Sequence, residues 1–211
     1  IQLDRAVVRY DRPDDHGDTW LTLQGGRMPN PFFSTDLVWD EDLGFDGVAA
    51  TVRHGIDFTA DGFDPVQRDR KLFVNAGAFP LQQPEFQSQD RWLIGGQVGA
   101  NWEFDNQNLL TVGAAFYDYL HITGKRNTLF SRETDGTAPQ FLQKGNLLFN
   151  IANGNPGDVL FALASDYRLI DLTASFNLAN FAPYHVTFTA DVVKNIGFDK
   201  DEITRRTGGL T

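Results

Sequence analysis

The residues best suited to chemistry in this 211-residue chain are four histidines, two carboxylate clusters and one glycine-rich run. His16, His54, His121 and His185 show no metal-ligand spacing, and no His-Glu-x-x-His pair occurs. Neither a Gly-x-Ser-x-Gly elbow nor a phosphate-binding loop is present. Asp11, Asp14, Asp15 and Asp18 surround Gly17, and carboxylates at that density could hold Ca²⁺, although a solvated turn explains them more simply. Asp36, Asp40, Glu41, Asp42 and Asp46 form a second acidic run that misses the EF-hand pattern. Gly95-Gly96-Gln97-Val98-Gly99 fails the dinucleotide-binding spacing and lies inside a strand pattern, so small residues on a sheet wall account for it better. No cofactor is expected.

The composition narrows the classes. A formal charge of −10 argues against a nucleic-acid partner, which would want a basic face. The absence of Cys excludes a disulfide framework and thiolate metal sites. Many aromatic and Gly residues, with frequent Asn, Asp and Thr, favour strands and turns. No run of apolar residues is long enough for a membrane helix, but strands of a β-barrel would not produce one either.

The elements are set by alternation. Trp92, Ile94, Gly96, Val98, Ala100, Trp102 and Phe104 share one parity, with Leu93, Gly95, Gln97, Gly99, Asn101 and Glu103 on the other. A period of two sends these sets to opposite faces of a strand. After Asp105–Asn108 the pattern resumes at Leu110, Val112, Ala114 and Phe116, which predicts a long hairpin. Ile170–Leu178 and Tyr184–Val192 repeat the plan, and Leu3–Asp11, Thr19–Gly25, Gly47–Gly55 and Leu72–Phe79 follow it less cleanly. The expectation is eight antiparallel strands in one all-β domain over residues 1–211. The clearest strands run about ten residues, the length a tilted strand needs to cross a bilayer. Soluble strands average about five or six residues.

Connections after the first, fifth and seventh strands are short, and those after the second, fourth and sixth are long; Ile56–Lys71 breaks the pattern. Outer-membrane barrels have short periplasmic turns and long external loops. The first strand would then begin outside the cell and the eighth end outside it. Barrels of this kind keep both termini in the periplasm, so at least one further strand is expected at each end, as part of a larger barrel.

The stretch Gly26–Ala49, GRMPNPFFSTDLVWDEDLGFDGVA, resembles a segment of the putative porin family of Gram-negative bacteria. Leu3-Asp4-Arg5-Ala6, Leu23-Gln24-Gly25-Gly26 and Val192-Val193-Lys194-Asn195-Ile196-Gly197 are similar to it as well. The resemblance implies a transmembrane antiparallel β-barrel in the outer membrane, a diffusion channel for small hydrophilic solutes or ions, and members longer than this chain. Outer-membrane lipid is the expected surrounding, and a homo-oligomer is compatible with the class.

Parity nominates the pore lining: Arg5, Arg9 and Arg53 on the early strands, Glu103, Asp171 and Asp191 on the later ones. Opposed basic and acidic walls would set a transverse field across an aqueous lumen. In Gly26–Ala49, Pro29-Asn30-Pro31 forces a stiff turn, and Phe32, Phe33 and Trp39 could anchor the loop to the wall or the membrane rim. Asp36, Asp40, Glu41, Asp42 and Asp46 would tune selectivity if that loop folded into the pore; a solvated external loop is the simpler expectation. Two other classes compete: a soluble β-sandwich that binds carbohydrate through exposed Trp and Phe, and a membrane-barrel hydrolase built on a Ser–His pair.

Overall fold

The computed structural model describes residues 5–14, 18–40, 42–56, 70–82, 90–104, 106–139, 145–154, 157–181, 184 and 186–208. Its strands are β1 (Ala6–Pro13), β2 (Thr19–Pro29), β3 (Gly44–Gly55), β4 (Arg70–Gln82), β5 (Arg91–Glu103), β6 (Leu109–Leu120), β7 (Leu148–Asn150), β8 (Phe161–Leu163), β9 (Arg168–Leu178) and β10 (Val186–Asn195). One helix, α1 (Lys200–Thr207), follows. The eight strands expected from alternation form one antiparallel sheet in the order β1-β2-β3-β4-β5-β6-β9-β10. Among the described residues β1 does not pair with β10, so the sheet they form is open.

Strand limits differ from the pattern mainly by extension. Gly26, Arg27 and Met28 were expected in the loop but pair with Gly47, Asp46 and Phe45. Gly26 adopts φ +112°, and a Cβ there would lie 2.3 Å from the Ala6 carbonyl oxygen, so a strand continues through this position only with glycine. Residues Leu3 and Asp4, and the irregular connection 57–69, lie outside the described residues.

The two faces of the sheet are unlike in an unusual sense. The apolar parity is exposed: Val48 at 60%, Val98 at 57%, Leu172 at 53% and Val192 at 65%. The other parity is buried and mixed: Thr51, Asn75, Gln97, Asp171 and Thr173, all at 5% or less, lie among Phe45, Phe79, Leu93 and Tyr117. A soluble sandwich would pack its apolar face on a second sheet and leave the polar face wet. Among the described residues the second sheet is only the small β7–β8 pair. The exposed face therefore suits an apolar surrounding.

Its height fits a bilayer. Ten residues separate Trp92 from Trp102 on the outward parity of β5, about 33 Å along a strand. Tilted by roughly 40°, that strand covers about 25 Å, the apolar band of a membrane barrel. Described ionisable groups on this parity stay near strand ends. Arg27 pairs with Asp46 and Asp118 with Arg168 at the long-loop end. At the short-turn end Arg70 lies 4.7 Å from the centre of the Trp102 ring, where an amphipathic belt meets headgroups.

The connection after β6 is more than a loop. It holds the β7–β8 hairpin, whose Phe149, Ile151, Ala162 and Ala164 form a separate core with Ile203 of α1. Helix α1 is capped by Asp199, whose carboxylate accepts from the N–H groups of Asp201 and Glu202, and it closes at Gly208 with φ +72°. Arg206 ties the helix back to the Ala164 carbonyl at 3.1 Å. Neither the hairpin nor the helix was expected from alternation, since three-residue strands show no period.

Candidate functional site

The inner face of the sheet is the candidate site, because a loop is seated on it. The segment between β2 and β3 turns at Asn30, whose Oδ1 accepts from the Phe32 N–H at 2.9 Å. This local bond directs Phe32 onto the wall. Its ring meets Tyr117 at 5.1 Å, Phe79 at 6.1 Å and Phe45 at 6.3 Å between centroids, all edge-on. Trp39 then contacts Phe45 at 5.0 Å and Tyr117 at 5.3 Å. Burying Phe32 contributes about 1.5–3 kcal/mol, and each edge contact adds about 0.5–1.5 kcal/mol. A neutral hydrogen bond nets about 1 kcal/mol, so the buried rings of Phe32 and Trp39 are the principal anchors.

Glycines on the inner parity make the seat. A Cβ on Gly95 would stand 2.5 Å from the Phe32 ring and 3.1 Å from Tyr117. One on Gly113 would approach Phe33 and Gln97 at 3.2 Å. Gly96, on the outward parity, faces open space. The glycine-rich run of β5 is thus a wall thinned on one side to admit an aromatic ring.

Polar bonds hold the loop in register. The Phe33 N–H donates to Gln97 Oε1 at 2.8 Å, and Gln97 Nε2 donates to the Phe33 carbonyl at 2.6 Å. Asn75 Nδ2 donates to the same Gln97 Oε1 at 2.9 Å. Farther along, the Thr35 hydroxyl donates to Asp191 on β10.

This last contact constrains the shape of the sheet. In sheet order β10 lies six steps from β2, roughly 29 Å on a flat sheet. Pro29 ends β2, and the six residues to Thr35 reach roughly 20 Å when extended. Even with both side chains added, a flat sheet would keep Thr35 from Asp191. The sheet is therefore curved, and its polar face is concave.

The profile of the putative porin family matches residues 1–211, the whole chain. The chain belongs to the putative porin family. Comparison with curated proteins gives no match, and comparison with solved structures gives none either.

The porin-type sheet places Arg9, Arg53, Glu103, Asp171 and Asp191 on the inward parity. Arg9 donates from Nε to Asp11 at 2.7 Å, Thr22 donates to the other Asp11 oxygen at 2.7 Å, and Arg53 donates to Thr22 at 3.3 Å. Arg5 precedes β1 on the parity of Arg9. This basic set lies on β1–β3. Asp171 and Asp191 lie on β9 and β10, and Glu103 ends β5 beside Leu109 of β6. The first two groups occupy opposite flanks of the concave face.

The acidic run is split by the fold. Asp36, Asp40 and Asp42 are exposed, whereas Phe32 and Trp39 beside them are buried. Asp40 Oδ1 caps the turn by accepting from the Asp42 N–H at 3.0 Å. Glu41 lies outside the described residues. Asp46 is a correction: it sits in β3 on the outward parity opposite Arg27, so it does not belong to the loop. In the first turn Asp14 accepts from the Asp18 N–H at 2.9 Å and Asp11 is committed to Arg9 and Thr22, while Asp15 and His16 lie outside the described residues, as does His185.

Asn75, Gln97 and Tyr117 were missed as site residues. Gln97 carried a signal: it is the one long polar side chain among the small inward residues of central β5. Thr35 carried none, because its partner is 156 positions away.

Proposed function

We propose that the chain builds the wall and the constriction of a passive diffusion channel in the outer membrane of a Gram-negative bacterium. The observation that carries this reading is the inversion of the sheet: its apolar parity is exposed, while the parity that bears Thr51, Asn75, Gln97, Asp171 and Thr173 is concave and partly covered by its own loop. Water can fill such a concavity, and small hydrophilic solutes or ions cross it without a binding cycle. The inserted loop narrows the path through Phe32, Phe33 and Trp39. Arg5, Arg9 and Arg53 on one flank and the exposed Asp36, Asp40 and Asp42 of the loop set the field that orients polar solutes, while Asp171 lies buried beneath the loop. Outer-membrane lipid covers the Val48, Val98, Leu172 and Val192 face.

The test is conductance of the detergent-extracted protein in a planar bilayer. Stepwise currents with a reversal potential set by a salt gradient are the expected result. A water-soluble protein that gives no current would defeat this reading.

A further inference from the structure

Among the described residues, every buried side-chain polar atom without a hydrogen-bond partner lies in one place. The atoms are Trp39 Nε1, Tyr117 OH, both carboxylate oxygens of Asp171, Thr173 Oγ1 and Asp191 Oδ1. Register brings their residues together: Asp191 pairs with Thr173 across β9–β10, Asp171 is the next inward residue of β9, and Tyr117 lies diagonally across β6. Trp39 closes the group from above through its contact with Tyr117, and Thr35 caps the second oxygen of Asp191. Asp171 is 1% exposed, Tyr117 0% and Thr173 3%.

The register sets the two carboxyl groups diagonally across the β9–β10 pair on the same face. Both are acceptors when ionised, so neither can satisfy the other. No basic side chain among the described residues pairs with either one. Buried oxygens left in this state cost several kcal/mol unless a positive species joins them.

We propose that Asp171 and Asp191 hold a divalent cation of the Ca²⁺ class, with the Thr173 and Tyr117 hydroxyls as neutral ligands, under the roof of Thr35 and Trp39. Five unpartnered oxygens converge there, two carboxylates match a charge of +2, and the one nitrogen, Trp39 Nε1, is a donor only and no ligand. Water completes a Ca²⁺ shell of six to eight oxygens. A monovalent ion would leave one negative charge uncompensated. The ion joins β6 to β9 and β10 beneath the inserted loop, which Thr35 holds to Asp191 at the edge farthest from its origin on β2. This site stands on the buried groups themselves and does not depend on the channel reading.

Terbium luminescence tests it, since Tb³⁺ replaces Ca²⁺ and Trp39 and Tyr117 are placed to sensitise it. The full chain in detergent, excited in the indole band, is expected to give Tb³⁺ emission that Ca²⁺ displaces. D171N should abolish the emission, T173V should weaken Tb³⁺ binding several-fold, and D40N, on the exposed part of the loop, should leave it unchanged. Calorimetry of wild-type protein with Ca²⁺ gives a readout that needs no variant to fold. Absence of emission and of binding heat would overturn the proposal and leave a shared proton or water between the carboxyls. Emission that survives D171N and falls in D40N would also overturn it, moving the ion to the surface loop.

Discussion

Gln97 of β5 and Phe33 of the inserted loop hold one another by a reciprocal pair of hydrogen bonds, 2.8 Å from the Phe33 N–H and 2.6 Å to its carbonyl. A side-chain amide here does for the loop what a neighbouring strand does for a strand. Gln97 to Leu removes both bonds and leaves the Asn75 amide without its acceptor. The expected cost is about 2–3 kcal/mol, from two bonds at about 0.5–1.5 kcal/mol each plus a buried group left unpaired. Single-channel recording should show larger conductance and more frequent current steps. Unchanged conductance and noise would mean that the loop is held without Gln97.

Gly95 and its neighbour Gly96 should differ sharply. Alanine at 95 drives its methyl into Phe32, 2.5 Å away, whereas alanine at 96 meets nothing within 4 Å. Overpacking at 95 is expected to cost about 1–3 kcal/mol. Trp39 fluorescence should shift to the red in G95A as the loop lifts, and stay at its wild-type position in G96A. Equal spectra in the two variants would contradict the seat described for Phe32.

Val98 lies midway between Trp92 and Trp102 on the exposed parity. V98R is expected to destabilise the protein by about 2–4 kcal/mol in lipid, because a charge at the midplane loses its hydration. Urea unfolding from vesicles measures this. A neutral effect would mean that this face meets water.

Arg53 tests the field across the concave face. R53E replaces a positive group on β3 by a negative one and breaks the bond to Thr22 at 3.3 Å. The reversal potential in a salt gradient should move toward cation selectivity, and the shift should shrink as salt screens it. No movement would remove Arg53 from the conducting path.

Helix α1 should respond to acid. Backbone N–H groups of Glu202 and Asp201 hold the Asp199 carboxyl below its usual value of 3.8. The folded value is depressed, so the stabilisation is complete above the ordinary carboxylate range and is lost as pH falls below it through the lowered value. Hydrogen exchange at Ile203, whose N–H donates to the Asp199 carbonyl at 3.0 Å, should accelerate only in that acidic window. D199A should show the fast rate at neutral pH as well. An equal rate in D199A and wild type at pH 7 would remove the cap from the account.

What the sequence determined by itself was the periodic part. Alternation from Trp92 to Glu103 and from Ile170 to Leu178 assigns each side chain to a face before any contact is known, because the pleat of a strand is a local property of the backbone. For the same reason Arg9, Arg53, Asp171 and Asp191 could be assigned to the polar parity. Helix α1 was not read from the sequence, since eight residues carry too short a period; its only signals are at the ends, in Asp199, the acidic first turn, the basic last turn and Gly208. Tertiary structure alone decided the rest. Thr35 meets Asp191 only because the sheet curves, Phe32 finds its seat only because Gly95 on another strand lacks a side chain, and Asp46 leaves the loop because β3 starts early. Such contacts join residues tens of positions apart. They depend on how strands curve and where a loop comes to rest, and neither leaves a periodic trace along the chain.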